Sequence, residues 1–288
     1  MPIQLLPARP EHTEDLARIC HLAFNSLHER HNVPPDVPTI DVGRLIIGAV
    51  INRPDYTGMA AIENGRLIGS NFLLHADEVC GVGPITVDPT IQSKGVGRTL
   101  MQWAIDEACR RRGTNVQVRL FQEAINTTSL SLYTSLGFRW QDSAALMHPA
   151  PVDADDPNCR PATRDDLPAI AALSHRHHGI PRANDAAALF ALGLPAFVRT
   201  RANRIVAYQI STLFGHSAAE TNDDLLALAV HTARMVEPPM AVVIVPMSQR
   251  DLFRAALARG FRTAKVLNAM AIGPYTSAPG PSFPSIQC

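Results

Sequence analysis

Residues 92–97 read Gln-Ser-Lys-Gly-Val-Gly, at the point where a β-branched run ends and a helical pattern begins. Gly95 and Gly97 strip side chains from that turn, so a bulky anion can approach the backbone. The first turn of a helix leaves four amide N–H groups without intrahelical partners, and they carry the positive end of the helix dipole. Lys94 and Arg98 add mobile positive charge around the same spot. These residue types at this spacing suit the holding of phosphate. Two familiar phosphate loops are excluded: G-x-G-x-x-G requires a glycine where Leu100 stands, and no G-x-x-x-x-G-K-[ST] run occurs. What remains is Q-x-x-G-x-G, for which a ligand-free glycine turn is the alternative reading.

The elements that would position this turn can be read on either side of it. From Val96 to Arg112, the apolar residues Val96, Leu100, Met101, Trp103, Ala104, Ala108 and Cys109 recur at helical spacing. Before the turn, Gly83 to Val87 reads as a strand. Earlier still, Met59–Ile62 and Leu67–Leu74 flank Asn64-Gly65, the dipeptide that a two-residue hairpin prefers. After the helix, a strand is expected over 115–120, a helix over about 126–136, and a final strand following Gly137-Phe138-Arg139-Trp140. This alternation predicts an α/β layered fold.

With these residues in view, the sequence resembles the GNAT superfamily of N-acetyltransferases, whose signature [QR]-x-x-G-x-[GA] lies between the fourth strand and the third helix. The resemblance covers residues 3 to about 148. It implies a mixed, mostly antiparallel central sheet flanked by helices, and acetyl-CoA as cosubstrate. Gln92, Ser93, Lys94, Gly95, Val96, Gly97 and Arg98 would hold its pyrophosphate. Backbone groups of Ile85 and Val87 would face the pantetheine arm and the acetyl carbonyl, with the Val87 amide in the oxyanion role. Asn126 would belong to the second cofactor segment, and Tyr133 would protonate the leaving thiolate. Glu78 stands where some relatives place a catalytic base, with a water chain as the alternative. The implied activity is transfer of acetyl to an amine, on a small molecule or a protein, by direct attack; a non-catalytic acyl-CoA sensor and a structural scaffold are the rival readings. Specificity would lie in variable segments, here Phe24 to Tyr56 and the second half of the chain.

The bulk numbers agree with a protein that holds anions locally. Among 288 residues, 26 basic and 26 acidic side chains cancel, so no overall field favours nucleic acid or an anionic membrane. The longest apolar run, 45–51, falls far below the ~20 residues of a membrane span. The amino terminus carries no secretory pattern. Five scattered cysteines without a C-x-x-C pair argue against disulfides and structural zinc. A cytoplasmic protein with no metal is expected.

The chain also repeats itself. Arg9 to Ile19 and Arg160 to Ile170 share Arg, Pro, Asp, Leu and Ile at a constant offset of 151, while Gly137-Phe138 and Gly260-Phe261 are offset by 123. A duplication with 28 residues fewer in the second copy follows, a length comparable to a strand, its loop and part of a helix. The proline- and aspartate-rich stretch 148–161 marks the seam, giving domains 1–150 and 156–288 with a boundary near 155. The second copy looks degenerate: no Q-x-x-G-x-G precedes its helix near Thr221, Asp223 and Asp224 stand in that helix's first turn, and Ala256 occupies the place of Tyr133. It would complete the acceptor cleft, pack on the first half or form a homodimer. His175-Arg176-His177-His178 reads as a solvated helix end, Cys80 as a buried thiol, and Phe283 and Ile286 as anchors for a proline-rich tail.

Overall fold

The computed structural model describes residues 3–91, 95–150, 156–237 and 240–287, which separate into two units. The first comprises the described residues within 1–75, 80–118 and 125–138. Its elements run β1 (Gln4–Pro7), α1 (Thr13–His31), α2 (Ile40–Ile51), β2 (Tyr56–Glu63), β3 (Arg66–Leu74), β4 (Cys80–Val82), β5 (Thr86–Val87) and α3 (Val96–Arg112). Strand β6 (Val118–Glu123) starts in this unit and continues in the second; α4 (Thr127–Ser135) returns to the first.

The expected hairpin joins β2 to β3, and both Asn64 and Gly65 take left-handed backbone, φ 53° and 76°. That is the turn whose twist matches the strands it connects. Ladders β1–β2, β2–β3, β3–β4 and β3–β5 are antiparallel. On one face Leu16 and Ile19 of α1 and Ile47 of α2 bury with Phe72; on the other, Val96 and Leu100 of α3 bury with Ala61 and Ile68. Each fully buried side chain of this kind contributes about 1.5–3 kcal/mol. Helices α1 and α2 approach so closely that a Cβ at Gly43 would lie 2.6 Å from the Ala17 carbonyl oxygen.

The second unit comprises the described residues within 76–79, 119–124 and 139–288. Its elements are β7 (Arg139–His148), β8 (Cys159–Pro161), α5 (Leu167–His178), α6 (Ala183–Ala191), β9 (Ala196–Arg201), β10 (Arg204–Ile210), β11 (Ser217–Ala219), α7 (Asn222–Ala233), β12 (Val243–Pro246), α8 (Arg250–Ala258), β13 (Arg262–Ile272) and β14 (Ser282–Phe283). One sheet runs β14-β11-β10-β9-β8, and the order β6-β13-β7-β12 is a second series. Strand β7, the last of the first half of the sequence, therefore lies between two strands of the second half, antiparallel to both. Its Ala144, Ala145, Leu146 and Met147 are consecutively buried, the mark of a strand covered on both faces. Ala145 and Met147 join Val243, Val245 and Leu225 on one side, and Ala144 and Leu146 join Ile244 and Leu267 on the other.

The second half repeats the element order of the first, from β8 to β13 as from β1 to β7 with the β4–β5 strand entire as β11. The turn between β9 and β10 again has two left-handed residues, Ala202 and Asn203. No described element is missing from it. The shortfall is spread over shorter helices, 12 residues in α5 against 19 in α1 and 12 in α7 against 17 in α3, and over shorter connections, rather than removed as one strand and part of a helix. The seam expected near residue 155 lies outside the described residues.

Candidate active site

The strand expected over 83–87 is broken. Strand β3 pairs first with β4, Leu73 opposite Val82, where the Gly83 amide still donates to the Phe72 carbonyl at 2.9 Å, and then with β5, Gly69 opposite Val87; Pro84 and Ile85 between them leave the ladder. Proline has no amide to donate, which is why regular pairing stops there. The Asp88 amide donates to the Ile68 carbonyl at 2.9 Å, so Ile68–Asp88 and Ser70–Thr86 are the hydrogen-bonded pairs of this ladder. Val87, opposite Gly69, consequently turns its N–H and C=O away from β3. Among the described residues β5 has no other ladder partner, and the Val87 amide faces an open edge. Ile85 shares its parity. The close approach of β5 depends on Gly69, where a Cβ would sit 2.6 Å from the Thr86 carbonyl oxygen.

Asp88 ends this strand. It is 1% exposed and accepts from the Thr90 amide (3.0 Å), the Thr90 hydroxyl (2.7 Å) and Arg66 (2.6 Å). Burial pushes its carboxyl up, yet the Thr90 hydrogen bonds and the Arg66 charge together hold it below its ordinary value. It is a residue that sequence reasoning passed over, although an aspartate two before a threonine at a strand end is the usual sign of such a turn.

The chain then enters α3 through Gly95, whose φ of 83° is left-handed and whose absent side chain faces open space. No acid stands in the first turn of α3, so its free amides retain their pull on an anion. Gln92, Ser93 and Lys94 lie outside the described residues. The β5 edge, this helix end, α1 and α4 enclose a cleft of about 390 Å³, within the range of small-ligand sites. Ile85, Thr86 and Val87 form its floor; Gly95, Val96, Gly97 and Arg98 form one end; Asn126, Ser129, Leu132 and Tyr133 form a wall. Gly97 lies 3.4 Å, measured from a notional Cβ, from Leu132. Arg98 donates to the Ser135 hydroxyl at 2.8 Å. The Asn126 side-chain oxygen caps α4, accepting from the Ser129 amide at 3.1 Å. Tyr133 is 8% exposed and tilts against Phe138; burial raises its hydroxyl above the ordinary phenol value, so it keeps its proton.

Glu78 is exposed on the turn before β4, in the segment grouped with the second unit. Cys80 is fully buried as expected, and burial raises its thiol. The histidine run departs from expectation. His175 is exposed, but His178 is 5% exposed, packs edge-on against His216 at 5.7 Å, and is pushed well below the usual imidazole range by burial. The helix stops at Gly179 in the left-handed conformation, and its last turn is solvated at His175 and Arg176 but buried at His178. The wall contributed by α1, with Ala23, Phe24, Leu27 and Arg30, was visible in the sequence only as part of a variable segment.

In the second unit the corresponding positions are closed. Only Glu220 and Thr221 separate β11 from α7. Thr221 caps that helix, accepting from the Asp224 amide at 3.1 Å, and the Asp224 carboxylate sits at the helix end, paired with Arg199 and Arg201. Strand β14 pairs with β11 and packs on β12, so the tail fills that strand edge.

An open strand edge running to an acid-free helix end is a geometry suited to an extended, phosphate-bearing ligand. Residues 18–138 match the acetyltransferase (GNAT) family, so this part of the chain is a GNAT acetyltransferase domain. Solved structures extend the likeness of fold to nearly the whole chain. A Pyrococcus horikoshii protein described provisionally as an acetyltransferase is 12% identical, with a TM-score of 0.76 over 95% of this chain and 90% of that one. A tandem GNAT protein from the clavulanic acid biosynthesis pathway is 12% identical, with a TM-score of 0.61 over 96% of this chain and 100% of that one. A GCN5-related N-acetyltransferase from Sphaerobacter thermophilus is 14% identical, with a TM-score of 0.61 over 97% and 98%. No curated protein matches in sequence. Among the described residues no helix is long and apolar enough to cross a membrane.

Proposed function

We propose that the first unit transfers acetyl from acetyl-CoA to a primary amine by direct attack, and that the second unit binds no cosubstrate. The observation that carries this reading is the Val87 amide on an unpaired strand edge, above a cleft that ends at the acid-free start of α3. The residues present fit the cosubstrate: Gly95 leaves open space at the helix end, and Arg98 adds a cation to that end of the lining. Bound there, acetyl-CoA supplies an activated thioester carbonyl. The first-turn amides and Arg98 hold the pyrophosphate, and the Val87 N–H stabilises the oxyanion. As the N–C bond forms and the C–S bond breaks, Tyr133 gives its proton to the departing thiolate and recovers one from solvent. The amine's own proton leaves to water; Glu78 is not among the described residues that line the cleft, and Glu78→Gln is expected to leave kcat unchanged.

The reading is tested by thioester consumption across an amine panel, with Tyr133→Phe as control. Turnover that falls by about 10²-fold or more in the variant, with acetyl-CoA affinity retained, supports it. Saturable CoA binding with no turnover on any amine would instead identify an acyl-CoA sensor.

A further inference from the structure

Along α1, Ala23, Leu27 and Arg30 fall at i, i+4 and i+7, with Phe24 beside them, and share one face. That face is a wall of the cleft: an apolar strip that ends, about 4.5 Å further along the helix axis, in a guanidinium. In the first unit Arg18, Arg44, Arg53, Arg66, Arg110 and Arg111 each pair with a carboxylate. Among the described residues Arg30 has no carboxylate partner; its Nε donates to the Ser26 carbonyl at 2.9 Å, leaving the rest of the fork available.

A second, independent observation lies on the facing strand. Alternation along β5 sends Thr86 to the face opposite Val87. Val87 packs with Val96 and Leu100 beneath α3, so Thr86 belongs to the face on which α1 packs. Thr86 is 3% exposed and lines the cleft, and its hydroxyl has no hydrogen-bond partner; its cross-strand neighbour Ser70, fully buried, is in the same condition. Buried hydroxyls are normally satisfied, and an unsatisfied one in a cleft wall is a place for a polar group of a ligand.

We propose that the α1 side of the cleft is the acceptor subsite, and that it selects a primary amine bearing both a carboxylate and an apolar group. This rests on the acetyltransferase reading above. Arg30 pairs with the carboxylate, Ala23, Phe24 and Leu27 cover the apolar group, and the Thr86 hydroxyl accepts a hydrogen bond from the amine. The other anion Arg30 could meet is the 3′-phosphate of the cosubstrate. Arg98 and the first turn of α3 already face phosphate at the far end, whereas Arg30 extends the apolar strip.

Calorimetry on the full-length protein, in the presence of CoA, tests this with amine pairs that differ only in the carboxylate: phenylalanine against phenethylamine, and leucine against 3-methylbutylamine. The carboxylated member is expected to bind about tenfold or more tightly. Arg30→Gln should bring each pair within about threefold, leaving CoA and dephospho-CoA affinities unchanged, and Thr86→Val should weaken both members of a pair about equally. Equal binding of the pair members by the native protein overturns the proposal. So does an Arg30→Gln variant that loses affinity for CoA but not for dephospho-CoA, which would give Arg30 to the 3′-phosphate. If CoA itself does not bind, the acetyltransferase reading fails, and the same pairs titrated without CoA still decide whether Arg30 reads a carboxylate.

Discussion

Tyr133 and Gly97 show how much single residues can tell. Tyr133 was legible through the family resemblance of the segment from Asn126 to Gly137-Phe138, and it lines the cleft. Arg30 was not, because an arginine in the last turn of a surface helix ordinarily faces water, and only the packing of α1 on β5 makes it a lining residue. The two glycines of the loop have different physical reasons. Gly97 is helical, and a Cβ there would make ordinary contact with Leu132 and Val87, so Gly97→Ala is expected to change the melting temperature by little. Gly95 is left-handed, so Gly95→Val should cost about 1–2 kcal/mol of stability, read from denaturant midpoints.

At the scale of elements, the cleft exists because a strand stops pairing. The Gly83-Pro84 pair was the available signal, yet a β-branched run with one proline still reads as a strand, and the offset between β4 and β5 is a property of the ladder with β3. That offset is held by Gly69. Gly69→Ala pushes a methyl group against the Thr86 carbonyl and is expected to destabilise the protein by about 1–3 kcal/mol. It should also weaken acetyl-CoA binding, a combination that thermal melts and calorimetry on one variant will show. In the second unit the acids at the start of α7 were legible, and they mark a helix end that Thr221 caps and whose Asp224 carboxylate pairs with Arg199 and Arg201.

For the whole molecule, the repeat of element order was legible in two short motifs, whereas the placement of β7 between β12 and β13 was not. A strand's partners are chosen by non-local burial, and a run such as Ala144 to Met147 states only that both faces will be covered. The charge pattern sets the acid stability of the whole. Arg160 hydrogen-bonded to Asp166, and Arg110 to Glu107, hold these carboxyls at about 2; at Asp156 burial opposes, but Arg199 and Asn158 prevail to the same value. Their folded values lie below their unfolded ones, so their contribution is present above about pH 4 and lost as pH falls toward 2. Denaturant midpoints should therefore drop steeply across that window, less steeply in Asp166→Asn.

The central claim is that one phosphate-bearing cosubstrate binds per chain, between β5 and α3, and calorimetry with acetyl-CoA tests it most directly. One site per chain is expected in the native protein, abolished in a folded Gly97→Trp variant whose indole fills the cleft. Two sites per chain, no binding at all, or binding that survives in Gly97→Trp would contradict it.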